Sequence, residues 1–291
     1  MSSPVTETHA HYPSPIPLPV GSTETRSSDS PWLPEQLPSS RDVVAGRWLL
    51  EAPVGRGGQG VVYRALDLET QQRCAVKLTR RSRRRNVAPI LSGIRHPRIQ
   101  ELLGWGSAGG TDYLVFRLYR GSDLRSVVSR GGPLGSARVK ALGSQLFATL
   151  SHLHKSGVVH RDVKPSNLLL DQRRLVLIDF DLAAWIGDPE SRGCLTGTPH
   201  YMSRERLAGQ AAGPADDVFA GAVSLFEIAS GALPTAPAEP KNIGELRVAR
   251  ETPPQAAGAL ASFFQRALSP DPSQRFESAL SAAVALSRAV A

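Results

Sequence analysis

Three polar residues stand close together in the sequence VVHRDVKPSNLLL, which runs from Val158 to Leu170. Asp162, Lys164 and Asn167 lie within six residues, between two apolar runs that are typical of strands. A carboxylate can orient a hydroxyl, a cation can meet a transferring phosphoryl group, and an amide can bind a metal ion. The spacing therefore predicts a phosphoryl-transfer site; the alternative interpretation is a polar turn between two strands.

A further carboxylate follows an apolar stretch. The sequence LVLIDFDLA extends from Leu175 to Ala183 and places Asp179 at the end of a predicted strand. Carboxylate oxygens are the usual protein ligands of Mg²⁺. Asp179 is therefore a candidate metal ligand.

A glycine-rich stretch, VGRGGQGVV, has the spacing G-x-G-x-x-G at Gly55, Gly57 and Gly60. Glycine lets the backbone turn tightly and bring its N–H groups close to phosphate oxygens. A dinucleotide-binding turn would be followed by a helix, whereas VVYRALDLETQQRCAVKL predicts a strand, a turn and a strand. This context favours a glycine-rich hairpin that covers a nucleotide.

The second of these strands contains the sequence CAVK. Strand alternation places Ala75 and Lys77 on one face. The small Ala75 leaves room for a flat base, and Lys77 can reach phosphates. A lone lysine on a strand is otherwise an ordinary solvated residue, so its spacing after the glycine loop is what favours the phosphate role.

Taken in order, these four motifs resemble those of the eukaryotic-type protein kinase catalytic domain, in particular those of the bacterial Ser/Thr kinases. The resemblance extends from Arg47 to Ala291. The sequence GTPHYM resembles the end of the kinase activation segment, and Asp217 resembles the buried aspartate that steadies the catalytic loop. Arg275 resembles the arginine that pairs with the last glutamate of that segment, here Glu205.

The resemblance implies an α+β bilobal fold, with a small β-rich N-lobe at residues 46–118 and a larger helical C-lobe at residues 119–291. Short strand-like runs before Gly121 and helical spacing after it agree with this order. Residues 1–40 contain eight prolines and nine serines. We therefore expect residues 1–45 to be a disordered tail, the alternative being a Pro-rich ligand for a partner domain.

By this resemblance, Asp162 accepts the proton of a Ser or Thr hydroxyl in a protein substrate, and Lys164 meets the γ-phosphate of ATP. Thr198 steadies Asp162. Asn167 and Asp179 bind Mg²⁺.

The resemblance also assigns the nucleotide-binding residues. Lys77 holds the α- and β-phosphates, Val62 and Ala75 sandwich the adenine, and Asp123 contacts the ribose. Phe116 guards the back of the pocket, with residues 117–119 as the hinge. The complete predicted ATP-binding set is Val54, Gly55, Arg56, Gly57, Gly58, Gln59, Gly60, Val61, Val62, Ala75, Lys77 and Asp123.

Regulation by phosphorylation is indicated by Arg161, which stands beside Asp162, because guanidinium binds phosphate in a bidentate way. Thr196 is the first candidate for the phosphorylated residue and Ser191 the second. The alternative for either is an unmodified loop hydroxyl.

Three positions depart from the family pattern. The helix that follows the lysine carries a glutamate ten residues before the proline of the HPRI sequence, and Val87 occupies that position here. Pro89 is expected to disturb a helix there. Asp181 replaces the glycine of the Asp-Phe-Gly motif, and the sequence Ser-Arg-Glu at residues 203–205 keeps only the glutamate of Ala-Pro-Glu.

The missing glutamate bears on activity. Glu101 is the nearest acid downstream and is a candidate substitute on the next strand. Because the base and the metal ligands are retained, we expect a weakly active Ser/Thr protein kinase. The alternative is a pseudokinase scaffold that binds a nucleotide or a partner without phosphoryl transfer. A small-molecule kinase is disfavoured by the activation-segment sequence.

Charge and composition limit the classes of partner that this protein is expected to bind. The formal net charge is +8, and residues 1–45 contribute −3, so about +11 remains on the rest of the chain. The arginines between Arg80 and Arg85 either recruit an acidic partner or form a solvated basic loop. No aromatic residues accompany them, which disfavours nucleic acid. The absence of a membrane-length apolar run and of a signal-peptide pattern leads us to expect a cytoplasmic protein.

Overall fold

The computed structural model describes residues 41–57, 60–79, 84–108, 110–188, 196–234 and 260–289, with backbone alone for Gly57 and residues 84–86. Most of the predicted tail lies outside the described residues, as do Gly58, Gln59 and Ser191. The chain divides into two compact units, residues 1–81 with 102–116, and residues 82–101 with 117–291. Residues 82–101, predicted in the N-lobe, thus group with the second unit.

The first unit contains an antiparallel sheet with the strand order β1-β2-β3-β4-β6-β5. The strand β3 alternates between buried and less buried residues, and its buried face packs with Trp48 and Leu50 in one apolar core. The strands are β1 (Val43–Val44), β2 (Trp48–Gly57), β3 (Gly60–Asp67), β4 (Arg73–Thr79), β5 (Leu102–Ala108) and β6 (Thr111–Arg117).

The sheet begins earlier in the chain than predicted. Val43 and Val44 lie within the predicted tail, yet they pair with Leu49 and Trp48 as the short edge strand β1. Their β-branched side chains fit a pleated edge. The described structure therefore begins before Gly46, so the predicted boundary of the tail is a few residues too late.

The second unit is mainly helical, with two small sheets. Its helices are α1 (Arg84–Ser92), α2 (Leu124–Gly131), α3 (Ser136–Lys155), α4 (Arg204–Leu207), α5 (Pro214–Ser230), α6 (Ala261–Ala267) and α7 (Ala279–Arg288). Its strands are β7 (Gly121–Asp123), β8 (Val158–Val159), β9 (Leu168–Asp171), β10 (Arg174–Leu177) and β11 (Ala184–Trp185). β9 pairs with β7 and β10, and β8 pairs with β11.

The helices α3 and α5 form the centre of the second unit. Gly143 on α3 permits their close approach, because a Cβ added there would lie 2.6 Å from Leu225 Cδ1. Helix α3 ends at Lys155, with Ser156 as its C-cap. Gly157 follows with φ +78°, a left-handed conformation that glycine adopts without strain. Among the described residues, no helix is long and apolar enough to cross a membrane.

The expectation that Pro89 disturbs a helix after Lys77 is wrong. Helix α1 extends over Arg84–Ser92 with Pro89 inside it. The proline ring is exposed, whereas Val87 and Ile90 are each only 1% exposed. Burial of this apolar face outweighs the loss of one backbone hydrogen bond, since each buried large apolar side chain contributes roughly 1.5–3 kcal/mol.

Candidate active site

The loop that follows β8 is hydrogen-bonded to the buried carboxylate of Asp217. Asp217, near the start of α5, is 1% exposed. It accepts hydrogen bonds from the backbone N–H groups of His160 and Arg161, both at 2.8 Å, and lies 3.0 Å from His154 Nε2. Arg161 has φ +69°, a conformation that is unfavourable for a long side chain. Asp217 therefore stabilises a backbone conformation at Arg161 that would be unfavourable without these hydrogen bonds.

The contacts of Asp217 favour the ionised form of its carboxyl group by lowering its pKa. Burial acts to raise its pKa, but the hydrogen bond and charge of His154 and the bonds from the loop outweigh burial. The net pKa is below the ordinary value for aspartate. The role predicted for Asp217, steadying the loop, agrees with these contacts.

The predicted catalytic residues of the second unit lie together around Asp162. Thr198 Oγ1 donates to Asp162 Oδ1 at 2.7 Å. Lys164 Nζ lies 2.7 Å from Asp162 Oδ2 and 2.8 Å from Thr198 Oγ1. Asn167 Nδ2 donates to the carbonyl oxygen of Asp162 at 2.8 Å and to Oδ2 at 3.1 Å. Four residues from two segments are thus joined at one carboxylate.

This arrangement leaves Asp162 oriented and still able to accept a proton. A carboxylate offers about four lone-pair positions. Lys164 and Asn167 use Oδ2, and Thr198 uses one position on Oδ1. Among the residues that the structure describes, no other donor uses Oδ1, so one position on it remains for an incoming hydroxyl, beside the positive charge of Lys164. The geometry suits proton acceptance from a hydroxyl and stabilisation of a nearby anion.

His160 is a scaffold residue within this site. It is fully buried. Its Nε2 lies 3.1 Å from the carbonyl oxygen of Ile178, and its Nδ1 accepts from the N–H of Asp162 at 3.3 Å. Its ring meets Phe180 edge to face, with 4.7 Å between ring centroids. His160 therefore ties the loop of Asp162 to the segment that carries Asp179.

The two candidate metal ligands are connected through the backbone. The N–H of Ile178 donates to the carbonyl oxygen of Asn167 at 3.0 Å, one residue before Asp179. Because Asn167 uses its Nδ2 to bond Asp162, its amide oxygen takes no part in those bonds. Hard cations prefer an amide oxygen and a carboxylate of this kind. The donor set fits Mg²⁺, which commonly binds through few protein oxygens together with substrate phosphates.

Gln100 contacts this segment and was not identified by the sequence analysis. Its Oε1 accepts a hydrogen bond from the N–H of Asp179 at 2.9 Å. Asp179 has φ +63°. No motif marks Gln100, because the contact joins positions 79 residues apart.

Asp181, which replaces the motif glycine, is accommodated without backbone strain. Asp179 is among the described residues with positive φ, whereas Asp181 is not. A side chain at position 181 therefore adds no strain of the left-handed kind.

The end of the activation segment is anchored at two points. Arg275 donates to both carboxylate oxygens of Glu205, at 2.9 and 3.2 Å, as the resemblance implies. Burial acts to raise the pKa of Glu205, but the bonds from Arg275 help to hold it below its usual value. Ser203, at the altered Ala-Pro-Glu motif, accepts from the Arg206 N–H at 3.2 Å and donates to Asp216 at 2.7 Å.

Thr196, the first candidate phosphorylation site, has its hydroxyl inside the fold. Its Oγ1 is buried and has no hydrogen-bond partner among the residues that the structure describes. Its carbonyl oxygen accepts from Arg206 at 3.4 Å. Arg161, the predicted phosphate ligand, donates its Nε to the carbonyl oxygen of Leu182. Modification of Thr196 would therefore require the segment to move outward.

In the first unit, the glycine-rich hairpin joins β2 to β3. Gly55 pairs with Val62, and Gly57 pairs with Gly60. Gly60 has φ +147°, and a Cβ there would lie 2.1 Å from the carbonyl oxygen of Leu78. Only glycine fits at that position.

The remaining predicted nucleotide-binding residues differ in their surroundings. Val62 pairs with Lys77 across β3 and β4, and both Lys77 and Ala75 are buried. Val54 is exposed, whereas Val61 packs in the apolar core of the sheet. Any contact of Val61 with a nucleotide would therefore involve its backbone alone.

Two predicted acidic residues have other contacts. Asp123 caps α2: its Oδ1 accepts from the N–H of Ser126 at 2.9 Å, and its Oδ2 from the Ser126 hydroxyl at 2.6 Å. Glu101 lies just before β5 and pairs with Arg117 at 3.4 Å. Phe116, the predicted guard residue, is buried in β6.

The fold and the site define the class of protein. A family model described as the protein kinase domain matches residues 48–285. The chain therefore belongs to the protein kinase domain family, and the predicted α+β kinase fold is confirmed.

Individual relatives are bacterial serine/threonine-protein kinases. The chain is 29% identical to pkn3 of Myxococcus xanthus over 81% of its own length and 48% of that protein. It is 26% identical to PrkC of Bacillus subtilis over 81% of its length and 39% of the relative. It is 34% identical to PknH of Mycobacterium tuberculosis over 65% of its length and 32% of the relative. The chain thus spans less than half the length of these curated relatives.

Proposed function

We propose that this chain is a Ser/Thr protein kinase that transfers the γ-phosphate of ATP to Ser or Thr hydroxyls of protein substrates. The observation that carries this proposal is the convergence of Lys164, Asn167 and Thr198 on Asp162, with bonds of 2.7 to 3.1 Å to its carboxylate or to one another. The named relatives support the same activity.

In the proposed reaction, the substrate hydroxyl donates to Asp162, which accepts its proton as the oxygen bonds to the γ-phosphorus. The bond between the γ-phosphorus and the bridging oxygen breaks, and ADP leaves with that oxygen. Lys164 stabilises the negative charge on the transferring group. Thr198 keeps Asp162 in the accepting orientation. The contacts of Lys164 and Thr198 with Asp162 support these roles.

Asn167 and Asp179 would hold Mg²⁺. When bound, Mg²⁺ neutralises charge on the phosphates. In the first unit, the glycine hairpin and Lys77 would bind the phosphates of ATP, with Ala75 beside the base. Val87 stands at the position where the family pattern has a glutamate. Because that glutamate normally helps to position the lysine, we expect transfer to be roughly 10²–10³-fold slower than in a kinase that has it, on the scale of a few kcal/mol in positioning.

The test is phosphate incorporation from labelled Mg-ATP into the chain itself and into a generic basic protein. Asp162→Asn and Asp179→Asn should each abolish it, because they remove the base and a metal ligand. Asp171→Asn on β9 is the matched control, since no role is assigned to it, and should retain incorporation. Nucleotide binding with no incorporation by the unsubstituted protein would overturn the proposal.

Phosphorylation within the activation segment is proposed at Thr196 first and at Ser191 second. The support is Arg161 beside the catalytic aspartate and the guanidinium of Arg206 next to Thr196. Mass spectrometry after incubation with Mg-ATP would locate the modified residue. A single phosphate elsewhere in the chain would contradict both assignments.

A cytoplasmic location and an acidic partner for residues 80–85 are further proposals. Their support is the sequence alone, in particular the five arginines in that stretch. Binding of a poly-glutamate peptide, compared with a variant in which these arginines are replaced by glutamine, would test the partner. Equal binding by both proteins would contradict it.

A further inference from the structure

The backbone of Asp179 is held by a side chain that belongs to no kinase motif in this sequence. Gln100 Oε1 lies 2.9 Å from the N–H of Asp179 and accepts its hydrogen bond. A backbone N–H can only donate, so the oxygen of the Gln100 amide, and not its nitrogen, must face Asp179. The side-chain orientation of Gln100 is thereby fixed.

The backbone of Gln100 is itself fixed to the same segment. Its N–H donates to the carbonyl oxygen of Leu177 at 2.9 Å, and the N–H of Leu177 donates to Arg98 at 2.9 Å. Ile99 forms a parallel bridge with Leu177. Leu177 ends β10, two residues before Asp179. The backbone of Gln100 is therefore anchored next to Leu177, and its side chain reaches from there to the N–H of Asp179, two residues after Leu177.

Asp179 needs such an anchor because its backbone is in the left-handed region, at φ +63°. For most non-glycine residues this conformation costs on the order of 1–2 kcal/mol, and for aspartate it costs less. On one side, Ile178 is fixed by its bond to Asn167. On the other side, Phe180 is buried against His160. Asp179 lies between these two anchored residues, and its N–H donates a hydrogen bond to Gln100 Oε1.

We propose that Gln100 is a positioning residue for metal binding: by accepting the Asp179 N–H, it keeps Asp179 in the left-handed conformation that aims its carboxylate. The inference rests on the proposed function, because the metal role of Asp179 is itself a proposal. Gln100 acts through Asp179 and does not contact the metal.

The experiment measures binding of a fluorescent ADP analogue as a function of Mg²⁺ concentration, and then in EDTA. Gln100→Met removes the acceptor and keeps the length of the side chain. We expect it to raise the Mg²⁺ concentration for half-maximal binding about tenfold, the size expected for losing one bond that opposes backbone strain. Binding in EDTA should stay within about twofold.

Two further variants separate positioning from a general loss of structure. Gln100→Glu keeps an acceptor oxygen and should remain within about threefold of the unsubstituted protein. Gln145→Met removes three side-chain bonds near the opposite end of β10: Gln145 Oε1 accepts from the Leu175 N–H at 3.0 Å and from Arg98 Nε at 3.1 Å, and its Nε2 donates to the Arg173 carbonyl oxygen at 3.2 Å. It should lower thermal stability and leave the Mg²⁺ dependence unchanged.

The outcomes are distinguishable. If Asp179→Asn leaves the Mg²⁺ dependence unchanged, the metal assignment of the proposed function fails. If Asp179→Asn shifts it and Gln100→Met does not, or if Gln145→Met shifts it equally, the positioning inference fails alone. A loss in Gln100→Glu as large as that in Gln100→Met would also overturn it.

A measurement on the unsubstituted protein covers the case in which Gln100→Met does not fold. Amide hydrogen exchange should show the Asp179 N–H protected, since it is bonded in the structure. Rapid exchange at Asp179, with Ile178 protected, would overturn the inference.

Discussion

Asp217 Oδ1 accepts the backbone N–H of Arg161 at 2.8 Å, and Arg161 is a residue with φ +69°. The buried carboxylate thus stabilises a backbone conformation that precedes the catalytic aspartate directly. Stability of the core and geometry of the active site depend here on one side chain.

Replacing Asp217 should therefore damage both properties. In Asp217→Asn, one carboxylate oxygen becomes an NH₂ group that faces the N–H of His160 or Arg161. We expect a loss of about 3 kcal/mol in the free energy of unfolding, since a buried donor is left unsatisfied and a charge-assisted network is broken. Urea unfolding measures the loss, and phosphate incorporation should fall by more than the unfolded fraction explains. An unchanged unfolding curve would contradict this role.

Replacing the neighbouring Asp216 by asparagine should not destabilise the protein at pH 7, in contrast to Asp217→Asn. Burial raises its pKa above the ordinary value, despite the hydrogen bonds from Ser203 and Gly213. A raised acid pKa means that the folded state binds the proton more tightly, so stability falls as pH rises from the unfolded pKa, 3.8, through the folded pKa. Asp216→Asn keeps an acceptor for Gly213 without the charge. It should flatten that pH dependence and be neutral or slightly stabilising at pH 7, as unfolding measured across pH 4–8 would show.

Removing the partner hydroxyl gives a third prediction. Ser203→Ala leaves one Asp216 oxygen without its donor and the Arg206 N–H without its cap. We expect a loss of about 1–2 kcal/mol in the free energy of unfolding. The double variant with Asp216→Asn should lose less than the sum of the single effects, and strict additivity in this cycle would argue against the bond.

The pair of Glu205 and Arg275 predicts sensitivity to acid. Because the folded pKa of Glu205 is lowered, its stabilisation is present above the unfolded pKa, 4.5, and is lost as pH falls through the folded pKa. Arg275→Met should cost about 3 kcal/mol at pH 7, since it leaves a partly buried carboxylate unpaired. The difference from the unsubstituted protein should shrink below pH 4.5. The guanidinium carbon of Arg275 also lies 4.7 Å from the centroid of the Phe219 ring. A difference that stays constant with pH would show that this packing dominates over the ion pair.

The glycine hairpin offers a matched pair of substitutions. Gly60→Ala places a Cβ 2.1 Å from the Leu78 carbonyl oxygen, whereas Gly55→Ala meets Val62 Cβ at 4.0 Å. We expect Gly60→Ala to lower the free energy of unfolding by about 2 kcal/mol or more, and Gly55→Ala by no more than about 1 kcal/mol. Thermal unfolding compares them, and equal melting temperatures would contradict the steric argument.

The sequence predicted the residues that act through local spacing. Asp162, Lys164 and Asn167 lie within one short loop, so their types and order already indicate the chemistry. The pairing of Glu205 with Arg275 came from the family resemblance and agrees with the structure. Contacts between distant segments were harder to predict: Gln100 has no motif, and its bond to Asp179 depends on how β10 meets the chain before β5.

Helix α1 shows why the prediction that Pro89 disturbs a helix was wrong. Helix propensity treats proline as a breaker, but burial of Val87 and Ile90 acts on the whole helix and is set by tertiary packing. At position 181, where aspartate replaces the motif glycine, the backbone does not use the left-handed conformation that favours glycine.

The bond between Ser203 and Asp216 also constrains the order in which the two side chains could have been acquired. A serine at position 203 can cap α4 by itself, so its arrival is tolerated. A carboxylate at position 216 without that hydroxyl would be half-buried with fewer donors. Ancestral reconstruction should therefore find the serine before the aspartate, with reversal of the serine disfavoured by about 1–2 kcal/mol once the aspartate is present.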